Sequence, residues 1–277
     1  MPTITQEEEV VIPHEQPVAG GQGGTELRIV NPDPRYPKAK LIEPTTLGYI
    51  YLAAAVRPPG RIPLVLPSTQ RSRLLRHLKE LARGVERLDE VVKATVFRAI
   101  VMPPTARFSS YLKQRGDSIH LANFDVVVLL QTTSPAAARK VQATPAYGAL
   151  VQALQSQAEV VRTITARNAK RIGDVDTSRK GLFLFNHFAA DDPDVMLQLW
   201  DYLAGWYAVE TGLDNSVAMI PVNGETSDYA IVNWARWDTS PLRHFWSQLS
   251  KKSFWRYVTA NLEANRAASM PIYHRLA

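Results

Sequence analysis

From Leu47 onward the chain alternates short runs of β-branched and aromatic residues with stretches of helical period. Leu47–Val56 is apolar throughout and predicts a strand. After a proline-rich link, Ser68-Thr-Gln-Arg opens a helix whose apolar positions Leu74, Leu75, Leu78, Leu81 and Val85 fall on one face. Val91–Val101 is rich in β-branched residues, is stopped by Pro103-Pro104, and predicts a second strand. Phe124–Thr132 predicts a third. Ser134-Pro135 then caps and starts a helix running to about Leu154, and Val160–Asn168 predicts a fourth strand. The order is β-α-β-β-α-β.

The same order is spelled a second time. Gly181–Phe188 predicts a strand, Pro193–Thr211 a helix, and Asn215–Val222 and Tyr229–Asp238 two further strands. A helical region over Pro241–Ala268 and a terminal strand over Met270–Leu276 complete the copy. Thr133-Ser134-Pro135 and Thr239-Ser240-Pro241 each follow the third strand of their copy, as an internal duplication requires. Each copy is a split β-α-β arrangement with helices on one face of an antiparallel sheet. The chain is therefore expected to be α+β, with two tandem ferredoxin-like repeats whose sheets face each other as an α+β barrel. The barrel interior is the expected pocket. The division is a flexible N-terminal arm at 1–40, a first repeat at 41–176, and a second repeat at 177–277 carrying the site.

The stretch Ile231-Val-Asn-Trp-Ala-Arg-Trp-Asp-Thr-Ser-Pro241 carries the clearest chemistry. On a strand, Asn233, Ala235 and Trp237 share one face, and Trp234 and Arg236 take the other. An amide, a small gap and an indole N–H on one face make a wall for an aromatic ligand. Asparagine is depleted in mid-strand, so Asn233 is either a core amide satisfied by its neighbours or a polar group aimed at a ligand. Arg236, on the opposite face, is expected to pair with an acid near the helices.

Composition narrows the function classes. With no cysteine among 277 residues, disulfides, thiolate metal sites and a cysteine nucleophile are excluded. The net charge of +6 comes from scattered basic residues. Those at Arg71, Arg73, Arg76, Lys79, Arg83 and Arg87 are expected on the solvated face of one helix, and no nucleic-acid motif accompanies them. The six histidines lack metal-ligand spacing, and Gly20–Gly24 neither follows a strand nor opens a helix, so it is no phosphate loop. No run of apolar residues reaches membrane-helix length, and the first residues lack secretory-signal features. A cytoplasmic protein with no metal, nucleic-acid or membrane partner is expected.

Val232-Asn233-Trp234-Ala235-Arg236-Trp237 resembles the third-strand motif of the antibiotic biosynthesis monooxygenases, within the dimeric α/β barrel superfamily. The resemblance implies that Asn233 and Trp237 line a pocket and contact a polycyclic phenolic substrate. It implies a cofactor-independent monooxygenase that oxidises an aromatic or polyketide-like molecule with O2. Other barrels of the superfamily imply the alternatives of a cyclase, isomerase or decarboxylase, or a non-catalytic binding protein. The related haem-degrading enzymes place an Asn at the end of the first strand, which Asn186 of Phe185-Asn186-His187-Phe188 matches. They hold haem through a His four residues after a Phe on the second helix, where Phe254 is followed here by Val258. No haem, and no cofactor, is implied.

The resemblance covers residues 181–277. In the first copy the positions matching Asn233 and Trp237 are Val127 and Gln131, so one working site per chain is expected. Because a tandem repeat can close a barrel alone, a monomer or a homodimer fits. His187 is either a buried structural histidine or the general base, with Tyr207 and Tyr229 as other candidates for that role. Trp206, Tyr207, Asn215, Tyr229 and Asn186 are the candidate substrate-binding residues.

Overall fold

A computed structural model describes residues 26–60, 62–104 and 108–277, apart from the side chains of Leu242 and Trp246. The glycine run at 20–24 and the rest of 1–25 lie outside these residues. The strands are β1 (Gly48–Ala55), β2 (Val91–Val101), β3 (Val126–Thr132), β4 (Val160–Gly173), β5 (Leu182–Ala190), β6 (Ser216–Pro221), β7 (Ile231–Trp237) and β8 (Ala267–Leu276). The helices are α1 (Thr69–Val85), α2 (Ser110–Arg115), α3 (Pro135–Gln142), α4 (Pro145–Gln155), α5 (Pro193–Thr211), α6 (Pro241–Leu249) and α7 (Ala260–Ala264), with a π-helical turn at Phe254–Thr259.

The eight strands close into one antiparallel barrel in the order β1-β3-β2-β8-β5-β7-β6-β4. Each half contributes a four-stranded sheet, β4-β1-β3-β2 and β8-β5-β7-β6. The halves join antiparallel through β2 with β8 and β4 with β6. β4 runs to Gly173, beyond the predicted Asn168, because its last residues pair with β6 across two register shifts.

Two predicted helices prove to be broken. The one expected over 135–154 stops at Gln142, since Pro145 lacks an N–H and Thr144 caps a new helix by accepting from the Tyr147 amide at 3.3 Å. The region expected to be helical to Ala268 ends at Ala264. Arg266 turns the chain at φ 49°, and β8 starts at Ala267, earlier than Met270.

Among the described residues the barrel interior is packed with side chains where a pocket was expected. Tyr49, Tyr51, Phe97, Phe183, Phe185 and Trp234 point inward and are buried. Phe185 stacks on Trp234 with ring centres 6.3 Å apart and meets Phe97 edge-on at 5.1 Å. An eight-stranded barrel is just wide enough for its own side chains to fill it. The opposite sheet faces are covered by helices: α1 and α4 over the first half, α5, α6 and α7 over the second.

Residues 26–40, part of the predicted arm, lie across the second-half helices. The Asn265 side chain bonds both the N–H and C=O of Arg28, and Asn261 does the same for Val30. Tyr36 packs against Trp206 and Tyr257. Gly205 on α5 permits this approach, because a Cβ there would sit 1.8 Å from the Pro37 carbonyl oxygen.

Arg71 departs from the solvated face expected of it and is 5% exposed. It pairs at 2.9 Å with the fully buried Asp125, which also accepts from the Val56 and Arg57 amides at 2.7 and 3.0 Å. Removing one partner of such a pair strands a buried charge. Asp125→Ala is therefore expected to cost about 3–5 kcal/mol in urea unfolding. A loss below about 1 kcal/mol would show that the pair is not structural.

Candidate functional site

Asn186 on β5 and Asn233 on β7 are directly opposed in the strand register. Both are set on the face that α5 covers, and with Leu184, Phe188, Trp200, Leu203, Ala204, Tyr207, Leu213, Ser216 and Trp237 they line a small cavity between sheet and helix. Traced by the centre of a water molecule, its volume is about 20 Å³, room for roughly one water.

The orientation of Asn233 is fixed by its neighbours. Trp200 Nε1, which can only donate, lies 3.1 Å from Asn233 Oδ1, and Ser216 Oγ donates to the same oxygen at 2.7 Å. The carbonyl end is thus satisfied, which leaves the Nδ2 end turned the other way. Asn186 is 5% exposed, and its Oδ1 has no hydrogen-bond partner. A buried amide group left unpaired costs free energy that a ligand hydrogen bond recovers. The cavity floor therefore presents the amide N–H end of Asn233 beside an unpartnered acceptor on Asn186, within largely apolar walls.

Trp237 forms one end of the cavity. Its Nε1 donates to Thr211 Oγ1 at 3.2 Å, and its ring lies 4.4 Å from the ring of His244 on α6. Gln248 donates to His244 Nε2 at 2.6 Å and accepts from the Tyr273 hydroxyl at 3.1 Å. Burial lowers the His244 pKa to about 4, so at neutral pH the ring is an uncharged prop for Trp237. Burial, with Tyr273 nearby, raises the Tyr207 hydroxyl above its ordinary value and keeps it protonated.

The other predicted residues lie elsewhere. His187 points into the barrel interior, where Nδ1 donates to the Met270 carbonyl at 3.1 Å and Nε2 accepts from Tyr51 at 2.7 Å. Tyr229 lies edge-on to His187 at 4.9 Å and donates to the His120 carbonyl. Trp206 faces away from the cavity and donates to Ser253 Oγ at 3.2 Å. Asn215 bonds both backbone groups of Arg236 and so extends the β6–β7 pairing by one residue. Arg236 itself lies on the barrel-interior face, where it pairs with Asp238 and donates to the Lys180 carbonyl; no helix-side acid is involved. The structure thus brings Asn186, Tyr207, Asn233 and Trp237 together, with Trp200 and Ser216 as supports. Ser216 went unnoticed in the sequence because nothing local marks a strand-initial serine as the neighbour of an amide seventeen residues on.

The register also corrects the match between halves. Gly48 pairs with Thr132 and Leu52 with Val128, as Leu182 pairs with Trp237 and Asn186 with Asn233. The counterparts of Asn233 and Trp237 are therefore Val128 and Thr132, in place of Val127 and Gln131, and that of Asn186 is Leu52. Leu52 and Val128 are fully buried in the apolar layer beneath α1 and α4.

A second cavity lies on the same face of the second-half sheet, beneath α6, the π-helical turn and α7. It has a volume of about 110 Å³ by the same measure and is lined by Phe245, Leu249, Phe254, Trp255, Val258 and Leu262 among others. Its lining contains no His, Cys, Met or Tyr, and its one ionisable residue, Glu263, is engaged by Ser110. A haem would find no axial ligand there, so these residues do not fit that group. Among the described residues no cluster of three His, Cys, Asp or Glu is placed to hold a metal ion, and no helix is long and apolar enough to cross a membrane.

No protein-family profile and no curated protein matches the sequence. Solved structures do match the fold, which is that of the dimeric α/β barrels. An anthrone oxidase-like protein aligns over 86% of this chain and 94% of its own, with TM-score 0.59 and 11% identity. A candidate monooxygenase from Lactobacillus acidophilus NCFM aligns over 83% and 94%, with TM-score 0.47 and 8% identity. A candidate monooxygenase from Fusobacterium nucleatum aligns over 85% and 94%, with TM-score 0.49 and 7% identity.

Three buried histidines give this fold a defined acid response. Burial lowers His187 and His244 to about 4 and His274 to about 3, against 6.5 when solvated. Folding therefore favours their neutral forms. The stabilisation is complete above pH 6.5 and is lost as pH falls from 6.5 toward 4 and below. Denaturant midpoints measured across that window should fall with acidification, and His187→Gln should flatten the slope. An unchanged slope in a folded His187→Gln variant would refute the shift.

Proposed function

We propose that this chain is a cofactor-independent monooxygenase acting on an aromatic, polyketide-like small molecule. The observation that carries the reading is the opposed amide pair under apolar walls, in which Asn233 Oδ1 is taken by Trp200 and Ser216 and Asn186 Oδ1 is buried without a partner. The anthrone oxidase-like relation in fold points the same way. A phenol or enol oxygen accepts from Asn233, and an adjacent hydroxyl donates to Asn186. Losing one proton, the substrate becomes an electron-rich carbanion or phenolate, and the amide N–H stabilises the oxyanion in a dry site. That anion transfers electrons to O2; a ring CH2 becomes C=O, and the second oxygen atom leaves as water. The substrate supplies all the electrons.

No cavity-lining group has a pKa suited to general-base work at neutral pH, since Tyr207 stays protonated. On this reading the acidity belongs to the substrate, whose anion the site would bind. The same observation favours, as a second reading, a small-molecule carrier in which the amides bind without turnover. A cyclase or isomerase that begins with proton abstraction would need a base that these walls do not supply.

Oxygen consumption with anthrones, hydroquinones and naphthols distinguishes the readings. Substrate-dependent uptake is expected, and Asn233→Ala should lower kcat by about 10²–10³ with an unchanged circular dichroism spectrum. Trp200→Phe, which only frees the amide to rotate, should cost about 2–10-fold. Binding of the panel without oxygen uptake would select the carrier.

A further inference from the structure

The cavity that the Asn pair floors is too small for the substrate assigned to it. Ligand pockets typically measure about 300–1,000 Å³, whereas this one is about 20 Å³. The larger chamber beneath α6 and α7 lies immediately beside it. Phe188 lines the small cavity and is the cross-strand partner of Ser269, which lines the chamber. Phe188 also belongs to the buried cluster that contains Val258, Leu262 and Ala267, all chamber-lining residues. One aromatic side chain thus stands between the two spaces.

We propose that the cavity and the chamber are two parts of one binding cleft, divided by Phe188. At about 110 Å³ the chamber too is smaller than an occupied pocket, so both spaces widen as Phe188 is displaced: the fused hydrocarbon rings of the substrate then occupy the chamber side, and its oxygen reaches past Phe188 to Asn186 and Asn233. The chamber fits rings: its wall is built from Phe245, Leu249, Phe254, Trp255, Val258 and Leu262. Phe254, Trp255 and Val258 lie on the π-helical turn, a departure from α-helical spacing that often accompanies functional sites. Trp255 is 45% exposed and Phe108 66% exposed at its rim, so the chamber opens to solvent. Asn186, 5% exposed with an unpartnered oxygen, is the polar end the cleft leads to. The ligand class is a flat molecule of two or three fused rings with one edge oxygenated, bound ring-first to the chamber. This rests on the reading above that the Asn pair takes an aromatic oxygen.

The test is anthrone binding under argon, measured by calorimetry, for the full chain and for the Val258→Trp and Asn233→Ala variants. Val258→Trp fills the chamber without touching either amide, and should weaken binding at least about tenfold; Asn233→Ala should weaken it as well. If a folded Val258→Trp variant binds like the wild type while Asn233→Ala does not, the two-part cleft is overturned and the functional reading stands. If Val258→Trp alone weakens binding, the oxygen is not at Asn233, and both fail. Absence of binding to the wild type also overturns both. Should Val258→Trp not fold, Trp255 fluorescence decides: its share of the emission, taken as the difference between the wild type and Trp255→Phe, should be quenched by anthrone, and a difference spectrum that anthrone leaves unchanged overturns the proposal.

Discussion

Closing eight strands into a barrel within a single chain is the constraint from which the rest of this structure follows. Side chains can fill the interior of a barrel of that size, and here Tyr51, Phe97, Phe183, Phe185 and Trp234 do so. Closure also leaves no free sheet edge on which to build a groove. A ligand site has to lie on the outer faces, between sheet and helices. Once that is so, the side chain alternation of β5 and β7 decides which residues can act. Asn186, Asn233 and Trp237 reach the helix side, and His187, Trp234 and Arg236 are spent on the interior and the barrel end.

A mid-strand amide under a helix is costly unless it is paired, and the way Asn233 is paired gives it chemical direction. Two donors converge on its oxygen, one from α5 and one from the start of β6. They cannot be exchanged for acceptors, because an indole N–H only donates. The N–H end is left turned away from those donors by elimination, the direction in which the proposed oxyanion would meet it. Trp200 thus contributes through hydrogen bonding as well as packing. Trp237 is held in turn by Thr211 and by the neutral ring of His244, so both motif residues are positioned by neighbours that the motif does not contain.

Much of this was legible in the residues. Periodicity located eight strands and the principal helices, because apolar runs bounded by Pro and Ser mark them without tertiary help. The duplication, and with it the barrel, follows from that order. What the residues could not show was which face of each strand would be wet. Alternation separates Asn233 from Trp234 and cannot say which side meets the interior; that is settled by the rings that crowd the barrel. The same limit misplaced Arg236, and it shifted the match between halves by one residue, since β7 is separated from its helix by one residue more than β3. Ser216 and His244 were out of reach because their roles depend on contacts that local sequence does not encode.

The two halves differ in a way that confines the candidate amide pair to one of them. At the positions of the Asn pair the first half has Leu52 and Val128, both fully buried under α1 and α4. Filling that space with hydrocarbon contributes stability, on the order of 1.5–3 kcal/mol per fully buried side chain. The second half gives up some of that gain, leaving an unpartnered amide oxygen, a cavity and a chamber where packing would otherwise be complete. Such defects are tolerable because the halves share one closed sheet and one aromatic interior, so the well-packed half supports the other through the β2–β8 and β4–β6 seams. A homodimer of identical halves would have to carry the same loss twice. Fusing the halves into one chain lets stability and binding be divided between them.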